Sequence, residues 1–215
     1  MITLTKRKKP NVLVKNETNW TNELMDYLNA SKKVPESLKG KYRHTEIKTE
    51  LLKETNNKCA YCESKISHID YGDIEHILPK SIVPDKTFLW ENLTIGCTIC
   101  NQNKTNYYNP NFPLLNPYTD KPEEKLLFAG PMVVAAVGSQ SASITIKKLD
   151  LNRPALFEKR HDFLNKIEPL IRQYELTNDA TLRQLLLDDL IASTKPEHEY
   201  SLMLKQFLAQ LAITA

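Results

Sequence analysis

Apolar positions along the chain recur with helical spacing in some stretches and alternate in others. From Trp20 to about Leu28 the repeating face Glu23, Leu24 and Tyr27, with Thr21 or Asn22 as cap, predicts a helix. From His44 to about Asn56 the face Ile47, Leu51 and Leu52 predicts a second, started near His44 or Thr45 and ended by Asn56–Asn57. Ile74 and Ile77, then Leu93 and Ile95, predict short buried strands, and Asn101–Tyr107 opens a short helix. Met132–Val137 and Ser143–Leu149 read as a hairpin turned by Gly138–Ser139–Gln140. Helical spacing then returns in Leu156, Phe157, His161, Leu164 and Ile167, behind a Pro154 suited to a first helical turn. Two further helices fit Asp179–Ser193 and Pro196–Leu211. Residues 1–18 read as extended or disordered, and Pro110, Pro113, Pro117 and Pro122 mark an irregular linker. No repeat is visible.

The expected class is α+β. A basic N-terminal tail and helix, suited to docking on a partner, covers 1–43, and a metal-bearing core covers 44–110. A linker and hairpin cover 111–150, and a mostly helical region covers 151–215.

Composition narrows the class without naming a function. Of 215 residues 41% are hydrophobic and 26% charged, which excludes a disordered chain. No apolar run is long enough to span a bilayer, and no apolar segment follows the basic Met1–Pro10 stretch as a signal peptide requires. The expectation is a cytoplasmic protein with no membrane partner and reduced cysteines. The net charge is only +3, but Lys and Arg cluster at Lys6–Lys9, at Lys32, Lys33, Lys39, Lys41 and Arg43, and at Lys147, Lys148 and Arg153. Such clusters either neutralise phosphates or form solvated surface.

All four cysteines fall in two Cys-x-x-Cys pairs, Cys59/Cys62 and Cys97/Cys100, with 34 residues between the pairs. Each pair aims two sulfurs at one ion and two pairs complete a tetrahedron, so a closed structural Zn²⁺ site is expected, pinning the ends of the intervening segment. A redox dithiol is the alternative, but that motif needs no second pair.

Between the pairs lies Asp73–Ile74–Glu75–His76–Ile77–Leu78–Pro79. On a strand, period two places Asp73 and Glu75 on one face, and a twist or bulge at His76 would be needed to aim Glu75 and His76 at one phosphate. Phosphodiester hydrolysis needs a base for water, which neutral His supplies, and a cation for the developing charge. Glu75 and Asn101 offer the oxygen ligands that a hard divalent ion takes.

Together these segments, with Trp90–Glu91–Asn92–Leu93 and Cys97–Thr98–Ile99–Cys100–Asn101–Gln102–Asn103–Lys104, resemble an HNH endonuclease of the ββα-metal, zinc-knuckle type. The resemblance implies a hairpin followed by a helix with one divalent ion between them. By that likeness His76 is the general base, Asn92 braces the loop carrying it, and Glu75 and Asn101 are catalytic residues that ligate the ion. Asp73 matches an acidic residue often found two positions before Glu75. Asn101 stands where many members have His, and its carbonyl oxygen suits Mg²⁺ or Mn²⁺. Lys104, Lys80 and His68 are candidate nucleic-acid contacts. The basic stretch before Trp20 and Leu149–Asp150–Leu151–Asn152–Arg153 are similar to the PtuB-like HNH nucleases of Septu and retron-associated anti-phage systems. That likeness implies a DNA or RNA substrate and control by a PtuA-like ABC-type ATPase, in some systems within a retron reverse transcriptase–msDNA complex. The chain has no GxxxxGK[ST] pattern, so nucleotide sensing would belong to another chain. A stand-alone HNH nuclease and a non-catalytic zinc-knuckle binding module are the competing readings. Only the enzyme requires Glu75, His76, Asn92 and Asn101 together.

Overall fold

The computed structural model describes residues 1–66 and 72–213. Among the described residues the fold is α+β, mostly helical, with two separate two-stranded antiparallel sheets. Residues 1–10 run extended across the body, and helix α1 follows over Asn11–Asn29. This corrects the expectation of a loose segment through residue 18. Pro10 initiates α1 by accepting from the Leu13 and Val14 amides. Within Val12–Leu13–Val14 only one position, Leu13, is buried completely, while Val14 is exposed, which is the signature of a helix face. A one-turn α2 (Glu36–Lys39) and a 3₁₀ turn at Lys41–Arg43 lead into α3, Thr45–Glu54. The His44 side chain caps α3 by accepting from the Glu46 amide.

Two strands follow, β1 (Asp73–His76) and β2 (Leu93–Gly96), in the register Asp73–Gly96, Ile74–Ile95, Glu75–Thr94 and His76–Leu93. Helix α4 (Thr98–Lys104) leaves β2 through Cys97, whose sulfur accepts from the Cys100 amide at 3.5 Å. The second sheet corrects the sequence reading. A one-turn α5 (Pro122–Lys125) precedes β3 (Leu126–Ala129), which pairs with β4 (Met132–Ala135) across Gly130 at φ +58°. Ser143–Leu149 is helical, within α6 (Gln140–Lys148). Its β-branched residues suggested a strand, but Ala142, Thr145 and Leu149 are the buried positions, and their spacing is helical. The chain ends in α7 (Pro154–Leu176), α8 (Ala180–Ser193) and α9 (Ser201–Gln210). α9 starts later than Pro196 because Tyr200 turns at φ +52°, with its hydroxyl 3.0 Å from that of Ser64. No helix among the described residues is long and apolar enough to cross a membrane.

The four cysteines converge. Their sulfurs lie within 4.8 Å of one another and all are buried. Cys62 and Cys97 stand 3.9 Å apart, close to the about 3.8 Å edge of a tetrahedron with Zn–S bonds of about 2.3 Å. The donor set and spacing fit zinc. Ala60 donates to the Ile95 carbonyl at 2.9 Å, so the first pair is also sewn to β2 by backbone. The Arg153 guanidinium stands 3.9 Å from the Cys100 sulfur, where a cation offsets the excess negative charge of four thiolates. On the other side Ser201 donates to Glu63 at 2.9 Å and Lys58 to the His198 carbonyl at 2.8 Å, docking α9 onto the knuckle.

The basic N-terminal cluster is structural. Lys6 lies against Trp90 and Tyr118, pairs with Glu54 at 3.2 Å and donates to the Leu93 carbonyl. Arg7 pairs with Glu50 at 3.2 Å, and Lys9 with Glu17 at 2.8 Å. The segment is thereby fastened under β2 and α3.

Stripping the metal with a thiol-competent chelator, or Cys97→Ser, should cost the cooperative thermal transition and the zinc together. A chelated protein that melts like the untreated one contradicts a structural ion. Lys6 gives a second test. Burial, the largest cause, pulls its pKa from 10.5 to about 8, against the opposing pull of Glu54. The unfolded chain then binds more protons than the folded one between those values, so this site's contribution to stability rises with pH across the window. Wild type should gain on Lys6→Met by up to about 3 kcal/mol from pH 8 to 10.5. Thermal melts at stepped pH read this, and a gap that is flat or narrows contradicts it.

Candidate active site on a two-stranded ribbon

β1 carries three polar side chains on four residues, Asp73, Glu75 and His76. Asp73 at its start is exposed, whereas Glu75 and His76 are each about 5% exposed. The register with β2 runs unbroken through His76, so β1 keeps its period of two and no bulge intervenes. Glu75 and His76 are nonetheless both buried, and both border one cleft. Asp73, Glu75, His76 and Asn101 line this cleft of about 420 Å³, with Tyr42, Arg43, Lys48 and Lys80. Asn101, on the first turns of α4, donates to the Asp73 carboxylate at 3.0 Å. Ribbon and helix therefore place carboxylate, imidazole and amide around one space.

The His76 ring is held by two contacts. Its Nε2 is 2.9 Å from the Thr87 carbonyl. A carbonyl only accepts, so Nε2 carries the hydrogen and, in the neutral ring, Nδ1 keeps the lone pair. The Tyr42 ring meets the imidazole edge-to-face, with centroids 4.7 Å apart. Burial, helped by the nearby Lys80 and Lys104 charges, drops the His76 pKa to about 4, and the Thr87 bond only partly opposes this. The ring is neutral near pH 7 and able to accept a proton.

Asn92 sits where a brace belongs. Its Oδ1 accepts from the Leu78 amide at 2.7 Å, and its Nδ2 donates to the Leu78 and Lys86 carbonyls at 3.0 Å each. Its own carbonyl accepts from the Ile77 amide at 2.9 Å. One 4%-exposed side chain thus ties both ends of the loop between β1 and β2 and sets the backbone next to Thr87, which orients His76.

Lys104, expected as a nucleic-acid contact, lies elsewhere. It is 2% exposed, and its ammonium bridges Glu75 at 2.6 Å and the His76 carbonyl at 2.7 Å. Burial raises the Glu75 pKa, with the Lys104 charge pulling the other way. A lysine four residues after a cysteine gives no sign in sequence that it faces inward. Lys80 is exposed at the cleft and donates to the Tyr42 hydroxyl at 2.6 Å. His68 lies outside the described residues. His161 is exposed on α7, and the Tyr107 hydroxyl donates to the Phe112 carbonyl within its own loop. Sequence reasoning missed Tyr42, Arg43 and Lys48 as cleft residues, since they precede the motif, two in the turn before α3 and Lys48 on α3 itself, and only the fold brings them to it. It also left Arg153 undecided, where the fold places it on the cysteine cluster.

Residues 59–107 match the HNH endonuclease family model. The chain is 33% identical to a Septu protein PtuB of Bacillus thuringiensis over 127 residues, covering 59% of this chain and 46% of that protein. It is 32% identical to a Septu protein PtuB of Bacillus mycoides (strain KBAB4) over 176 residues, covering 67% of this chain and 59% of that one. The chain thus spans about half the length of the curated relatives it matches. The cysteine cluster, the ribbon and α4 all fall inside the matched family segment, and the chain is a PtuB-like HNH protein.

Proposed function

We propose that the chain is a metal-dependent endonuclease that hydrolyses nucleic-acid phosphodiester bonds, the effector of an anti-phage system. The observation that carries this is the convergence of Asp73, Glu75, His76 and Asn101 on one cleft rimmed by Arg43, Lys48 and Lys80. His76 Nδ1 takes the proton of the attacking water. Glu75 and Asn101, with Asp73 beside them, would hold a Mg²⁺ or Mn²⁺ ion, whose charge offsets that building on the phosphorane and leaving oxygen. Arg43, Lys48 and Lys80 attract the phosphate backbone. Asn92 and Tyr42 keep the imidazole aimed, and the cysteine cluster with zinc keeps ribbon and α4 in register. The similarity to Septu PtuB proteins supports the defence role and a PtuA-like ATPase partner. A retron complex and a cytoplasmic location extend the same reading.

The test is cleavage of DNA and RNA with Mg²⁺ or Mn²⁺, alone and with the ATPase. His76→Ala should lower the rate by roughly 10²–10⁴ while leaving the fold intact. Asn92→Ala should lower rate and stability together, the latter by about 2–4 kcal/mol for its several buried hydrogen bonds. Equal rates for wild type and His76→Ala would mean another base. If zinc-loaded wild type is inert on every nucleic acid tried with its partner, the binding-module reading takes over. Lys104→Met gives an independent readout. It leaves the Glu75 carboxylate buried without its cation, so the metal-free protein should lose about 3–5 kcal/mol. Added Mn²⁺ should raise the melting temperature of the variant more than that of wild type, and equal shifts contradict Glu75 as a ligand.

A further inference from the structure

A second cavity, of about 430 Å³, adjoins the catalytic cleft and differs from it in chemistry. Its walls come from Leu24 and Leu28 of α1, Val34, and Pro84 of the β1–β2 loop. Three residues line both cavities: Tyr42, Arg43 and Lys80. Tyr42 is the partition. One side of its ring meets the His76 edge, the Lys80 ammonium lies 2.6 Å from its hydroxyl, and the Arg43 guanidinium lies 5.4 Å from its centroid. Two cations therefore stand on the wall between a polar, carboxylate-bearing cleft and an apolar pocket. The remaining charges at the pocket, Glu36 and Lys39, pair with each other at 2.8 Å.

A nucleotide has this same division, an anionic phosphate joined through the sugar to a flat, largely apolar base. We infer that the pocket walled by Leu24, Leu28, Val34 and Pro84 takes an unpaired base of the strand being cut, while Arg43 and Lys80 hold the phosphate between that base and the cleft. The inference rests on the nuclease reading and narrows it. A stacked and paired base cannot enter a pocket, so the substrate class is single-stranded or locally unpaired nucleic acid, in which the base is already free of its partner. An apolar side chain of a protein partner would fill the pocket equally well, but it brings no anion for Arg43 and Lys80.

Leu28 and Ser81 line the pocket at exposed positions and take no part in the chemistry, so they carry the test. Leu28→Glu places a charge in the pocket and Ser81→Trp fills it. Binding of a fluorescein-labelled 12-nucleotide single strand is measured by anisotropy in wild type and both variants, beside the same strand made abasic throughout. Thermal melts verify that each variant is folded. Both variants should bind the normal strand roughly 10- to 100-fold more weakly, the range typical of one accommodated base. The abasic strand should bind wild type and variants alike. Variants that bind the normal strand as wild type does, or that lose the abasic strand equally, overturn the pocket. In cleavage assays the two readings separate. Cutting with a KM indifferent to both variants sinks the pocket alone. Pocket-dependent binding without cutting, even with the ATPase and divalent metal, sinks the nuclease reading and leaves the base site standing.

Discussion

The cysteine cluster is the constraint on which the rest of the structure hangs. β1 and β2 pair over only four residues each, far too short a ribbon to hold a register in water by itself. Four buried sulfurs fix the chain just before the segment leading to β1 and just after β2, and α4 leaves directly from that anchor. With both ends pinned, Asn101 on α4 can face only the start of β1, where it meets Asp73. The site's geometry is thus inherited from a closed site with no place for a reacting water.

Around this anchor the charged residues sort into two populations by depth. Lys6, Lys58 and Lys104 are sunk in the fold and matched with Glu54, Glu63 and Glu75. Such pairs contribute little net stability, but each is costly to break, which confines the structure to one arrangement. Arg43, Lys48 and Lys80 remain at the cleft, where a ligand's phosphate can reach them. The modest net charge of +3 thus says little about the cleft, where three cations stand beside Asp73 and Glu75.

What could be read from the sequence was what local spacing determines. Cys-x-x-Cys forces two sulfurs together over a single turn, so the cluster was legible, and the same frame singled out His76 and Asn92 as candidates. Long-range pairing was not. Lys6–Lys9 looks like a solvated tail because the partners of Lys6 and Arg7, Glu54 and Glu50, lie far along the chain. Lys104 looks like a surface cation for the same reason, its carboxylate being 29 residues earlier in the chain at Glu75. The Ser143–Leu149 error arose where β-branched residues pack as a helix because β4 already has β3 as partner. Tyr42 and the pocket behind it carry no motif, since only the folded chain brings α1 and the β1–β2 loop together around that pocket.

The central claim is that a zinc-pinned ribbon and helix present Glu75 and Asn101 to one hard cation, within reach of the phosphate that His76 serves. The most direct measurement is anomalous diffraction from crystals of the zinc-loaded protein soaked in Mn²⁺, recorded at the manganese and zinc edges. The account predicts a zinc peak among Cys59, Cys62, Cys97 and Cys100 and a separate manganese peak coordinated by Glu75 and Asn101 on the His76 side of the cleft. Manganese bound away from those two residues, or absent while Lys104 keeps its hold on Glu75, contradicts it.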